Sequence, residues 1–343
     1  MRHFSHLIVL ALTALALLSG CKGKNTSREK LLPNVSGKAG EVIVVIDKES
    51  WEGAPGAALR EYLSCDCPYL SQREPMFSLA NVPHGNFNNM FKVHRNIVLM
   101  DINPQAAEEK VTWLKNEWAR PQSVVRISAF DRDGAVRLIG EEGRNISEFF
   151  EQAERDRIIA NAKLYENAAL RPVVEEVTGG ILHFPTGYKL KARRPGFVWI
   201  ADEKQYTNQA VLIYKYPVPE GKTDLFSMES VISKRNEVMK ENVPGQFDNT
   251  YMTTSLAIEP TVKSLRYKGR DFLETRGFWE VYNDFMGGPF VSHSFYSPDG
   301  KEIIVLEAFV YAPKYDKRQY LRQVESILYS FEWVDAKNDD EKS

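Results

Sequence analysis

The chain has 343 residues, with 44 Lys and Arg against 46 Asp and Glu, a formal net charge of −2 at neutral pH. That near balance excludes the concentrated basic surface that nucleic-acid binding requires, so no nucleic-acid partner is expected. The length suits two domains, the 43% hydrophobic content is that of an ordinary globular protein, and three cysteines are too few for a disulfide framework.

In chain order, Arg2 is followed by a stretch from Leu7 to Leu18 that is apolar apart from Thr13. It is shorter than the roughly 20 residues of a membrane-spanning helix, so residues 1–20 read as a secretory signal peptide. Leu18-Ser19-Gly20-Cys21 resembles the bacterial lipobox, which implies cleavage before Cys21 and lipid attachment to it. Two or more acyl chains anchor a protein stably where one does not. Cleavage removes Arg2 and moves the charge to −3, 43 basic against 46 acidic residues. Residues 21–38 read as a tether, polar and basic over Lys22 to Arg28, which suits anionic headgroups. Neither an Asp nor an acidic run follows Cys21; the expectation is an outer-membrane anchor facing the periplasm. Of the other cysteines, Cys65 and Cys67 are two apart. They read as free or loosely paired thiols, with a strained disulfide or a soft-metal pair as alternatives.

An N-terminal α+β domain is expected over 39–142. Glu41 to Ile46 is a buried strand, Gly53 to Leu63 a helix, and Met76–Val82 and Arg95–Ile102 are strands. The polar loop Asn81–Met90 reads as a plain connection, with a recognition loop as the alternative. Asn103 as N-cap and Pro104 in the first turn predict a helix with Ala107, Val111, Leu114 and Trp118 along one stripe. Ser123–Phe130 follows as a strand, and the order βαββαβ is that of a ferredoxin-like unit. Asn145 and Glu148 have capping-box spacing, opening a connecting helix over 143–172 that Pro172 ends.

The C-terminal α+β domain, 173–334, is expected to be an antiparallel sheet covered by helices. Its strands are Tyr188–Ala192, Gly196–Asp202, Ala210–Pro217, Ser255–Ile258, Lys263–Tyr267, Phe272–Asn283, Phe290–Ser297 and Glu302–Tyr311. Helices are expected over Met228 to Glu241 and from Asp316, the second burying Tyr320, Leu321, Val324, Leu328 and Phe331. Ser297-Pro298-Asp299-Gly300 is a hairpin turn, and residues 335–343 are a charged tail.

Several strings carry a family resemblance: Gly40-Glu41-Val42 with Trp51, Gln72-Arg73-Glu74-Pro75, His94-Arg95-Asn96-Ile97 and Trp118-Ala119-Arg120-Pro121-Gln122. The C-terminal set is the most specific, with Arg276-Gly277-Phe278-Trp279, Met286-Gly287-Gly288-Pro289-Phe290, Tyr311-Ala312-Pro313-Lys314 and Lys317-Arg318. Together they resemble an uncharacterised lipoprotein family of Bacteroidetes-type bacteria, domain of unknown function 4837. The resemblance implies the same lipid-anchored address and brings no activity, cofactor or catalytic residue.

No nucleophile elbow, zinc-binding His-Glu-x-x-His or phosphate loop occurs, and His84, His94, His183 and His293 are scattered. No catalytic residue, metal or cofactor is therefore expected. The candidate ligand-binding residues are Arg276, Trp279, Asn283, Asp284, Gly287 and Gly288, where aromatics and paired charges precede a Gly-Gly-Pro turn. A core strand followed by a tight turn is the competing reading. The basic run Lys189, Lys191, Arg193 and Arg194 is a solvated strand face or a headgroup contact. The functional expectation is a membrane-tethered, non-enzymatic binding or scaffolding protein with an envelope protein or glycan partner. The alternative is an envelope hydrolase using Glu280 and Asp284, which in one strand would lie roughly 13 Å apart, wide for a catalytic pair.

Overall fold

Every residue of β1 (Glu41–Val45) except the first is buried. Val42 and Val44 enter one hydrophobic cluster, Ile43 and Val45 another, so this strand is covered on both faces, as a central parallel strand must be. The computed structural model describes residues 31–221 and 224–334. The expected signal peptide, Cys21, most of the expected tether and the charged tail 335–343 lie outside the described residues.

After β1 come α1 (Lys48–Glu52), capped by Asp47, and α2 (Ala54–Leu63), with Pro55 in its first turn. Then follow β2 (Ser78–Val82), the single turn α3 (Asn89–Lys92), β3 (Asn96–Ile102), β4 (Lys110–Lys115) and β5 (Ser123–Ala129). The sheet order is β2-β1-β3-β5-β4, parallel except for β4, which runs antiparallel to β5.

This topology corrects the ferredoxin-like order. Asn103 does accept a backbone N–H, from Gln105, but it closes a turn, and the helix expected through Trp118 is replaced by β4. Val111 and Leu114 pack into clusters on opposite faces of the sheet, where a helix would have aligned them. β-branched and aromatic residues in Val111-Thr112-Trp113 favour the pleated edge position.

The long helix α4 (Arg132–Leu164) has 33 residues and is capped by Asp131, which accepts from Gly134 N–H at 2.8 Å. It starts well before the expected position 143; Asn145 only donates to Glu142. Glycine lowers helix propensity and hides the first turns, yet Gly143 is required there. A Cβ on it would lie 2.3 Å from the Tyr62 ring of α2. The helix ends at Leu164, and Pro172 stands in the first turn of the next one, α5 (Arg171–Thr178), which Gly179 closes at φ 71°.

The remaining elements are β6 (Gly180–Ile181), β7 (Lys189–Arg194), β8 (Phe197–Lys204), β9 (Thr207–Pro217), α6 (Met228–Asn242), β10 (Met252–Thr254), β11 (Thr261–Tyr267), β12 (Arg270–Val281), β13 (Gly287–Tyr296), β14 (Glu302–Tyr311), α7 (Arg318–Tyr329) and β15 (Glu332–Trp333). The strand expected at Ser255–Ile258 is displaced to β10. β6 pairs with β15. The others build an antiparallel, curled sheet in the order β10-β12-β13-β14-β9-β8-β7, with β11 beside β12 as well. The α+β class, the long helix and the helix-covered antiparallel sheet are thus as expected.

Each face of this sheet has its own core. Ile304, Leu306, Ala308 and Val310 of β14 pack with Leu321, Val324 and Leu328 of α7. Ile303, Val305 and Phe309 face Met239 of α6. Between them Glu307 occupies an inward position with no exposure. Arg235 of α6 answers it bidentately, at 2.9 Å through Nε and 2.7 Å through Nη2, while its Nη1 donates to Thr254.

Residues 34–334 pack as one compact unit. The end of the expected tether belongs to it, since the backbone N–H groups of Val35 and Ser36 donate to the carbonyls of Arg120 and Val93. Among the described residues no helix is long and apolar enough to cross a membrane.

Candidate functional site

Strand β12 separates the residues that its sequence places together. Phe272 joins the core under α7, whereas Trp279 and Val281 join the one facing α6, as period-two alternation requires. Trp279 is buried, and its indole N–H donates to the Val310 carbonyl at 3.3 Å. Gly287 and Gly288 open β13 and form no turn. A Cβ on Gly288 would lie 2.0 Å from the Val310 carbonyl oxygen, so this glycine serves strand packing. The turn is residues 282–286, with Asn283 at φ 62° and Asp284 accepting from the Phe285 N–H. Glu280, opposite Gly287 in the sheet, and Asp284, in the turn, therefore share no strand face. Of the six candidates, only Arg276 lines a cleft of interest.

That cleft has a volume of about 750 Å³ and lies between α4, α7, β11 and β12, closed on one side by residues around Cys67 and Met76. Arg276 bridges two carboxylates. Its Nε and Nη2 donate to Glu274 at 2.7 and 3.0 Å, and Nη2 also reaches Glu325 of α7 at 2.5 Å. Arg155 of α4 approaches Glu325 at 3.6 Å, with its guanidinium 3.8 Å from the centre of the Tyr329 ring. The Tyr329 hydroxyl donates to Glu274 at 2.8 Å. Nearby, Arg322 pairs with Glu151 and donates to the Met76 carbonyl at 2.9 Å. About a quarter of the Arg276 side chain, 24%, remains exposed, so a ligand can reach it.

Burial alone would raise the Glu274 carboxyl, but Arg276 and His293 beside it hold it well below the ordinary range. Burial would likewise discharge Arg276, and the two carboxylates reverse that and push it up. Burial pushes His293, wholly enclosed behind the cleft, down to about 4. Its ring stands 4.2 Å from Phe272 and 4.6 Å from Tyr329. Burial also pushes the Cys67 thiol up to about 12, leaving no thiolate for nucleophilic chemistry. The arrangement offers fixed charges and aromatic faces without a nucleophile-and-base pair, which suits binding.

Cys65 and Cys67 are free thiols. Among the described residues the other histidines serve the fold: His84 bonds the Met100 carbonyl, His94 bonds that of Asn96, and His183 lies 3.1 Å from Glu166. Among the described residues no group of three or more His, Cys, Asp or Glu side chains could hold a metal. The basic run forms β7, where Lys191 pairs with Glu203, Arg193 with Glu176, and Arg194 bonds Asn242. Glu274, Glu325, Arg155 and Tyr329 were not singled out in the sequence. The available signal was charge beside an apolar stripe, in Arg322 and Glu325 next to Leu321, Val324 and Leu328.

Residues 167–330 match the family model described as Domain of unknown function (DUF4837), and residues 35–163 match a second, Domain of unknown function (DUF8532). No curated protein matches. Similar solved structures include a variant of the protein Mog1, at 11% identity over 46% of this chain and 92% of that one, with a TM-score of 0.31. Another is human STARD10, at 12% identity over 47% and 74%, with a TM-score of 0.24. Similarity this low establishes neither a shared fold nor a shared role.

Proposed function

We propose, for a chain whose residues 167–330 belong to the family of domain of unknown function 4837, a lipid-anchored, non-enzymatic binding role in the cell envelope. Cys21 carries the lipid in this reading, at the outer membrane facing the periplasm. The cleft around Arg276 takes a polar envelope ligand, a peptide or glycan segment. The observation that carries the reading is Arg276 itself, held charged by Glu274 and Glu325 and still open to the cleft. Aromatic faces next to fixed charges, as at Tyr329 and Arg155, are suited to such ligands.

The anchor is tested by metabolic labelling with palmitate: wild type incorporates label, and Cys21→Ser does not. The cleft is tested by calorimetry of residues 22–343 against cell-wall peptides. Arg276→Met is expected to abolish binding, and Arg155→Gln, which leaves the Arg276 bridge in place, to weaken it. If no probe binds, or both variants bind like the parent, the cleft is not the site.

A further inference from the structure

A second cavity, of about 520 Å³, lies on the other flank of α7. Gln319, Gln323 and Ile327, each four residues after the last, line it from that helix, whereas Arg318, Arg322 and Glu325 face the Arg276 cleft. Gln209 enters it from β9, Asn161 from α4, and Val35 and Ala39 form one wall.

Two observations point to a ligand. The Oε1 atoms of Gln209 and Gln319 are both buried without a hydrogen-bond partner, and Gln209 as a residue is only 5% exposed. Buried polar groups are rarely left so. The charged groups of the lining are three cations, Arg95, Arg157 and Lys204, against two carboxylates, Glu154 and Asp202, a net +1. Glu154 is shared by Arg157 at 3.1 Å and Arg95 at 3.4 Å, and Asp202 pairs with Lys204 at 2.8 Å. The surplus positive charge disfavours a cationic ligand there. Amide side chains both donate and accept, which matches hydroxyl groups.

We infer that this cavity is a binding site for a hydroxyl-rich, non-cationic ligand of mono- or disaccharide size, its hydroxyls donating to Gln209 and Gln319. The volume lies within the roughly 300–1,000 Å³ of small-molecule pockets. The site is separate from the Arg276 cleft and depends neither on that reading nor on the lipid anchor. Because Val35 and Ala39 are wall residues, a bound ligand also holds the segment 35–39 against the fold.

The test uses residues 22–343, without the lipid, in solution, titrated with glucose, N-acetylglucosamine and their disaccharides by calorimetry and saturation-transfer NMR. At least one is expected to bind saturably. Gln209→Leu and Gln319→Leu are expected to weaken binding tenfold or more, with an unchanged or higher Tm, since each replaces an unpartnered amide with an apolar group of similar size. Arg276→Met is expected to bind these saccharides normally. Ligand should also slow proteolysis within residues 34–39. Absence of saturable binding at millimolar saccharide overturns the inference. So does undiminished binding by both leucine variants, or a lowered Tm in them, which would assign the amides to the fold.

Discussion

Glu74 caps the amino end of α7 from 243 residues away, accepting the backbone N–H of Lys317 at 2.7 Å and of Arg318 at 2.8 Å. The helix has no side-chain cap of its own, and the first N–H groups of a helix must find partners elsewhere. Arg318 answers by donating to the Pro75 carbonyl. A carboxylate there also complements the helix dipole. The clasp ties the DUF8532-matched segment to the DUF4837-matched one.

Removing that cap leaves two donors unpaired at a buried position. Glu74→Ala is expected to cost about 1–3 kcal/mol, read as a lower urea midpoint. Glu74→Gln keeps an acceptor and should recover part of the loss; equal midpoints for all three proteins would show that the cap contributes nothing.

Acid should unfold the protein through His293. Its folded pKa, about 4, lies below the ordinary 6.5, so the unfolded chain takes up the proton first. Stability from this group is full above pH 6.5 and is lost as pH falls toward 4, by up to about 3 kcal/mol. His94, also lowered by burial, acts in the same direction. Glu274, held low, adds a further loss once pH falls below its ordinary 4.5. His293→Phe should flatten the slope of unfolding free energy between pH 6.5 and 4; an unchanged slope would refute the assignment.

The Arg235–Glu307 pair is enclosed, with side chains 1% and 0% exposed. Breaking one side of such a pair typically costs about 3–5 kcal/mol, whereas replacing both sides with apolar groups is often neutral or better. Arg235→Met should therefore be strongly destabilising and Arg235→Met with Glu307→Leu much less so. Thermal melts of the two singles and the double decide it, and additive losses would contradict the reading.

Gly288→Ala tests whether that glycine serves packing or ligand binding. Its Cβ would meet a carbonyl oxygen of β14 at 2.0 Å, which backbone can relieve only by parting the strands. A loss of about 2 kcal/mol or more is expected, with Trp279 fluorescence shifted to the red as its bond to Val310 loosens. A Tm like that of wild type would restore the residue as a surface candidate.

Much of the C-terminal sheet was legible beforehand because its signals are local. β14 alternates between two cores at period two, and Ser297 to Gly300 closes its hairpin with Gly300 at φ 69°. The residues of the Arg276 cleft were not legible as a group. Glu274, Arg155 and Glu325 come from three elements, and only packing α4 and α7 over β12 brings their charges within bonding distance.

The same division explains the misplaced elements. Local patterning was enough where an element's own residues carry an unambiguous signal, as in the unbroken apolar run of β1 or the helix α6, whose backbone bonds are its own. It was insufficient where the partner is distant in sequence. Asn103 and the stripe after it satisfy helical rules, yet residues 110–115 gain a ladder of hydrogen bonds on the edge of β5. The glycines in the first turns of α4 look unfavourable until Tyr62 packs against Gly143. Which side of β12 opens to a cleft was likewise a tertiary decision: alternation separates Arg276 from Trp279, but only the packing of α4 and α7 leaves a cleft beside Arg276.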